Sequence, residues 1–327
     1  DISPSVLQGY VVEFRSDNKI RFYTNGAIIK SGANPYEISS PFTSADLKKM
    51  RFAQFNNKLY FVHPDFPPQE LVRNSDSNWQ ISVVNFTQPS SPHWDATGGY
   101  PSVIGFFEQR LLLGATKCEP QTIWGSQSGN VLNLVTGTGD SDPFEFLISA
   151  ATSNIQHLVS GKQVIILCYD KELTMQGGTE KPITPTNVQI KDQTTYGTKD
   201  VPPVAIGGEL LFVTRHGKKV RSMSYQVDKD AYTAPDLSLV AGHLAELGIE
   251  EMTKTLEPYG LLWFIASDGK LLACSFDREQ EVVAWSKQIT DGLFKSMTVI
   301  PYANADQIWV AAQRTIGDAT KTYIETV

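Results

Sequence analysis

Two serines flank a glutamine in Gly125-Ser126-Gln127-Ser128-Gly129, a spacing close to the nucleophile elbow that presents a serine at a sharp turn. The elbow needs its serine in the middle place, where Gln127 stands, so the stretch reads as a hairpin turn. The five histidines, His63, His93, His157, His216 and His243, are scattered, without HxxxH or HExxH spacing, and read as structural or surface residues. Asp140-Ser141-Asp142 lies in a glycine-rich loop and offers the oxygen ligands calcium takes. The full EF-hand spacing is missing, so a solvated loop is the plainer reading. No stretch fits GxxxxGK followed by Ser or Thr, and Gly137-Thr138-Gly139 precedes no helical pattern. No metal or cofactor is therefore expected. A glycosidase would set paired carboxylates on strands lining a pocket. The acids Asp65, Asp170, Asp268, Asp277 and Glu279 instead fall in turns. The segments Leu210–Val213 and Leu261–Ile265, read as inner strands, carry none. The densest basic stretch, Arg215-His216-Gly217-Lys218-Lys219-Val220-Arg221, reads as a solvated hairpin tip or as an interaction surface. In the second case Arg215, Lys218, Lys219 and Arg221 meet an acidic partner or DNA phosphate.

The elements that must position these residues are short strands. Leu261-Leu262-Trp263-Phe264-Ile265 is apolar on both faces, which predicts a buried strand with Leu261 and Trp263 interior. Asp268-Gly269 supplies a tight turn, with Gly269 at positive φ, and Leu271–Phe276 and Val282–Trp285 follow as strands. The same meander recurs. One runs through Leu59–Val62, Glu70–Arg73 and Trp79–Val84, and another through Arg110–Leu113, Gln121–Trp124 and Val131–Val135. Others start at Gln163, Glu209 and Gln307. Successive starts lie about 45 to 55 residues apart, the spacing of propeller blades or solenoid units. The prediction is an all-β β-propeller of about six blades, each a three- to four-stranded antiparallel meander, because a propeller leaves only short, protected edges. Residues 1–42 hold an N-terminal hairpin, Tyr10–Phe14 and Lys19–Tyr23 about Asp17-Asn18, and a connector, the hairpin either completing the last blade or standing apart; residues 43–327 hold the propeller, read as a fragment of a longer chain. Two short helices are expected. One is Ser44–Lys49, capped by Thr43 or Ser44, and the other is Asp236–Leu247, with Leu237, Val240, Leu244 and Leu247 at helical spacing and Gly248 as a stop.

The 327 residues are 41% hydrophobic and 19% charged, the balance of a folded chain with a sizeable core. The net charge of −7, without a long basic run, argues against a general phosphate-gripping protein. No apolar run approaches the roughly 20 residues of a membrane helix, and no membrane insertion is expected. Cys118, Cys168 and Cys274 lie far apart and are expected as buried free thiols in a reducing compartment. The start, DISPSVLQGY, reads as that of a fragment or processed chain. Asn85-Phe86-Thr87 matches a glycosylation sequon but gains no support from a secretory signal.

Several blocks resemble short-tailed bacteriophage and prophage proteins of the tail nozzle, or tail tubular protein B, type, which are related in role to packaged-DNA stabilisation hubs. The blocks are PYEISSPFTSADLKKMRFAQFNNKLYFVHPDFPPQELVR, FFEQRLLLGATKCEPQTIWGSQSGN, PTNVQIKDQTTYG, ELLFVTRHGKKVR, and DREQEVVAW followed by DGLF. The resemblance implies a structural virion protein without catalysis, assembled in the host bacterial cytoplasm as a homo-oligomeric, hexameric ring of the virion tail. Its neighbours would be a tail adaptor and fibre or spike proteins, and DNA would pass through without being gripped. The alternative is a carbohydrate-binding or carbohydrate-active propeller acting on cell-surface glycans. Trp79, Trp124, Trp263, Trp285 and Trp309 could then stack on sugars, although their strand patterns place them in the core.

Overall fold

A computed structural model describes residues 2–5, 8–87, 94–150, 153–178, 181–278, 280–302 and 304–327. The chain is an all-β β-propeller, and its strands form seven successive antiparallel blades rather than about six. The additional blade is the N-terminal one: the predicted hairpin, Gln8–Phe14 and Lys19–Thr24, is the centre of a five-stranded sheet that also takes Glu37–Ser39. Five four-stranded meanders follow, with first strands at Arg51–Phe55, Val103–Phe107, Ile155–Ser160, Val204–Ile206 and Ile249–Thr255. A three-stranded sheet, Leu293–Tyr302, Ala305–Ile316 and Ala319–Thr326, comes last.

The residues fall into two compact units, one of 14–21 and 30–200, the other of 1–13, 22–29 and 201–327. Within each unit the second strands make the core. Arg110–Gly114 and Val164–Cys168 are buried at every position in the first unit, as is Glu209–Val213 in the second. Such strands read as unbroken apolar runs because both faces meet a neighbouring sheet. First strands lie against first strands: Val103–Phe107 between Arg51–Phe55 and Ile155–Ser160 in one unit, Ile249–Thr255 between Val204–Ile206 and Leu293–Tyr302 in the other. The inner position therefore belongs to the first strands. The second strands Leu210–Val213 and Leu261–Ile265, predicted to be inner, are the middle of their sheets. In the unit that holds the last sheet, Val11, Ile300 and Trp309 form one apolar cluster with Tyr23 and Ile324 alongside.

Other expectations are corrected in detail. Neither predicted helix forms. Around Ser44–Lys49 only a 3-10 turn, Leu47–Lys49, appears, and Asp46 takes the capping place, accepting from the Thr43 N–H at 2.8 Å and Thr43 Oγ1 at 2.7 Å. Around Asp236–Leu247 there is again only a 3-10 turn, Leu239–Ala241. Its apolar spacing marks no buried face, since Leu237 is buried while Val240 is 78% and Leu247 66% exposed. Asp236 Oδ1 accepts from both the N–H and Oγ of Ser238, a local turn that competes with helix. Val131–Val135 is a loop bent by Asn130 and Asn133, whose side chains accept from the N–H groups of Leu132 and Val135. The strand in that blade is Phe144–Leu147. Trp263 is buried as expected, whereas Leu261 is half-buried. Cys168 and Cys274 are buried free thiols, and Cys118 is exposed.

Candidate functional site

Five lead-ins to successive sheets share one backbone frame. In each, an N–H donates to a carbonyl in the turn between the second and third strands of the preceding sheet, or, for Cys168, at the end of the second strand that enters it. The pairs are Tyr100 to Pro64 (3.1 Å), Ile155 to Pro120 (3.0 Å), Thr198 to Cys168 (2.9 Å), Ile249 to Gly217 (2.9 Å) and Phe294 to Gly269 (2.8 Å). Four of the donating residues, Ile155, Thr198, Ile249 and Phe294, are buried. Two residues further on stand Ser102, His157, Asp200, Glu251 and Ser296. Three of these follow a register shift, between Ile155 and His157, between Ile249 and Glu251, and between Phe294 and Ser296. A bulge supplies one extra residue and re-aims the side chain after it. The frame thus sets a polar group at the start of an inner strand, blade after blade.

Consecutive members of this series meet within each unit. Glu251 Oε1 accepts from Ser296 Oγ at 3.1 Å and from the Met297 N–H at 2.9 Å. In the other unit His157 Nε2 lies 3.9 Å from Asp200 Oδ1. Arg51, on the first strand Arg51–Phe55, donates to the Asp200 carbonyl at 3.2 Å and also to its carboxylate. Neither pair could be found from sequence spacing, because the partners are 45 and 43 residues apart and joined only through the frame.

Burial drives both ionisable groups toward neutrality. Desolvation pushes the Glu251 carboxyl up to about 7, against the two hydrogen bonds that favour its charged form. Desolvation, reinforced by the Arg51 charge, pulls the His157 imidazole down to about 3. His157 Nε2 has no hydrogen-bond partner, so its bond to the Lys199 backbone falls to Nδ1. A carboxyl that loses its proton near neutral pH can take one from water and return it, which is general acid–base chemistry. The neighbouring acid Glu250 is exposed and accepts from Ser267 Oγ at 2.8 Å.

The residues singled out by sequence are mostly structural. In the GSQSG segment, Gly129 sits at φ 75°, and Ser126 is buried with its Oγ accepting from the Leu111 N–H at 2.9 Å. Buried Arg110 fills the place a cation would take beside Asp140-Ser141-Asp142, donating to the carbonyls of Ser126, Asp140 and Asp142 at 2.6 to 2.7 Å. Among the described residues, no group of three or more His, Cys, Asp and Glu could hold a metal ion. His63 is buried and its Nδ1 accepts from the Asp65 N–H at 3.1 Å, whereas His216 and His243 are exposed. His93 and Glu279 lie outside the described residues. In the basic stretch, Lys219 pairs with Asp236 at 2.9 Å and Arg221 donates to the Ala234 carbonyl; Arg215 and Lys218 are exposed at the turn. The series thus brings together none of these four. The five tryptophans named above are buried except Trp285, which is half-buried and stacked on Phe264 at 4.9 Å.

No family model matches the chain, and no curated protein does. Solved structures do. A Bacteroides uniformis protein provisionally named a 6-phosphogluconolactonase superposes with a TM-score of 0.59 at 12% identity, over 99% of this chain and 100% of that one. The periplasmic gluconolactonase PpgL of Pseudomonas aeruginosa superposes with a TM-score of 0.52 at 12% identity, over 99% and 93%. BBS1N, solved in complex with ARL6DN, gives 0.55 at 8% identity, over 93% and 84%. At such identities the likeness is one of fold. The blocks that carried the phage resemblance are blade and turn patterns, and lactonase-type proteins are built on the same scaffold. That finding corrects the reading as a non-enzymatic structural protein of a phage tail that conducts DNA.

Proposed function

We propose that this chain is a carbohydrate-active propeller that hydrolyses a sugar lactone, with Glu251 as general base. One observation carries the reading: a half-buried carboxyl at the start of an inner strand, with its pKa pushed up to about 7. The fold shared with gluconolactonase-type proteins supports the substrate class. In the reaction, Glu251 takes a proton from water as the hydroxide oxygen adds to the lactone carbonyl carbon. The tetrahedral adduct then collapses, its ring C–O bond breaks, and the leaving alkoxide regains the proton from Glu251. Lactone and water become the hydroxy acid, and the carboxylate is restored. Half of the Glu251 population would be ionised near pH 7, a favourable value for a base working at that pH.

A glycoside-cleaving alternative is less well supported. It asks for two carboxyl groups about 5 to 9.5 Å apart across the scissile bond. Glu250, the acid next to Glu251, is turned to Ser267 instead. The test is the rate of opening of glucono-1,5-lactone and its 6-phosphate by the purified chain, above the rate in buffer, with a polysaccharide panel alongside. Lactone opening should be lost about 100-fold or more in Glu251→Gln, the scale of a general-base contribution. No acceleration above buffer, or equal rates in the variant, would overturn the proposal.

A further inference from the structure

We infer that Ser296 is a positioning residue for Glu251, holding Oε1 so that Oε2 is the oxygen that takes the proton. The inference rests on the lactonase reading for its role in catalysis, but its geometry stands apart from that reading. Both donors to the carboxyl, Ser296 Oγ and the Met297 N–H, fall on the same oxygen. Among the described residues, no other hydrogen bond reaches this carboxyl. A carboxylate oxygen that already accepts two bonds is the poorer proton acceptor, so the basic lone pair is left on Oε2. Ser296 occupies in its own blade the place that Glu251 occupies in the preceding one, two residues past a buried N–H anchor and a register shift. Its hydroxyl is carried to Oε1 by the same backbone frame that delivers the carboxyl.

The charged groups on the strands around Glu251 all have other business. Glu250 accepts from Ser267, Lys254 donates to the Ala205 carbonyl, and Lys295 is exposed. On Ala305–Ile316, Asp306 accepts from the Leu256 and Glu257 N–H groups, and Arg314 pairs with Glu325 at 2.6 Å. Leu261–Ala266 and Val204–Ile206 carry no charged residue. Ser296 is thus the one side chain of these strands that acts on the carboxyl by hydrogen bonding, in favour of the ionised form. Removing it should move the titration upward.

The experiment follows the Glu251 side-chain carboxyl by carbon-13 NMR across pH, assigned with Glu251→Gln. Wild type is compared with Ser296→Ala, Ser296→Cys and Ser296→Thr. The midpoint should rise by about 0.5 to 1 pH unit in Ser296→Ala, the equivalent of one hydrogen bond, and return in Ser296→Thr, which keeps the hydroxyl. If Ser296→Ala fails to fold, Ser296→Cys, of nearly the same shape with a weak donor, gives the same reading. An unchanged or lowered midpoint overturns the inference. The lactone pH–rate midpoint should move in parallel, and the rate at high pH should fall in Ser296→Ala and return in Ser296→Thr. A shift in the NMR midpoint without any lactone opening would uphold the positioning and sink the lactonase reading; lactone opening with an unmoved midpoint would do the reverse.

Discussion

Ile155-Gln156-His157 in one unit and Ile249-Glu250-Glu251 in the other are built alike and behave in opposite ways. Each begins with a buried isoleucine whose N–H is tied to the preceding blade, passes a register shift and ends on an ionisable side chain. The same desolvation raises an acid and lowers a base, so both sites favour the neutral group. The neighbours separate them. Ser296 and Met297 donate to Glu251 and hold it near neutrality, where it can exchange protons. Arg51 adds a like charge to the desolvation that already opposes protonation of His157, and the imidazole stays neutral across the physiological range. One frame therefore makes a working acid–base group in one place and an inert, neutral imidazole in another, according to what the next lead-in supplies.

Truncating the anchors tests whether the frame is shared, and it carries the largest expected effect. Ile155→Ala and Ile249→Ala should each cost about 2 to 5 kcal/mol in denaturant unfolding, the range for large-to-small changes in a packed core. Similar losses support a common frame. A loss below about 1 kcal/mol at either site would break the comparison there.

The pH dependence should then divide the two sites by sign. The folded His157 pKa lies below its unfolded value, so its contribution is present above about pH 6.5 and is lost as pH falls toward 3. The loss should be on the order of 5 kcal/mol and should be absent from the wild-type-minus-His157→Gln difference if the site is solvated. The folded Glu251 pKa lies above its unfolded value, so its contribution is present below about pH 4.5 and is lost as pH rises through 7. Here on the order of 3 kcal/mol should separate wild type from Glu251→Gln between those limits, with the opposite slope. Equal slopes in the two difference curves would show that burial does not control both groups.

Much of the scaffold could be read in the sequence. The second strands are unbroken apolar runs, and turns such as Asp268-Gly269 and Asp17-Asn18 mark where the chain reverses. The N-terminal blade was legible only as a hairpin, because its remaining strands are short and polar, such as Glu37–Ser39. The site itself was hidden. Glu251 and His157 lie in segments with no motif, and their chemistry comes from burial by strands distant in sequence. Local turns also defeated pattern: Asp236 and Ser238 bond each other where leucine spacing had suggested a helix. A possible signal is the small repeat itself, a polar residue two places beyond an anchor that faces the previous blade's turn. Without the hydrogen bonds that fix the anchors, it does not stand out from other alternating segments.

The smallest expected effect sharpens the comparison at the carbonyl end of the frame. Gly269 and Gly217 both sit in turns at positive φ, 77° and 78°, and their carbonyls receive the Phe294 and Ile249 anchors. Alanine at either position must enter a region that residues with a Cβ disfavour, at a cost of about 1 kcal/mol. At Gly269 there is a second penalty. A Cβ there would stand 2.8 Å from Leu293 Cβ, close to the start of the strand that carries Ser296, so one of the two must shift. Gly269→Ala should therefore destabilise by about 1 kcal/mol more than Gly217→Ala, within the range for overpacking. It should also disturb the Ser296–Glu251 contact, raising the Glu251 midpoint in the same direction as Ser296→Ala, whereas Gly217→Ala acts on the lead-in of Glu251 itself. Denaturant unfolding of the two variants and the carbon-13 titration measure both effects. Equal losses would mean that Leu293 gives way freely, and that the turn sets φ without setting the position of the strand it anchors.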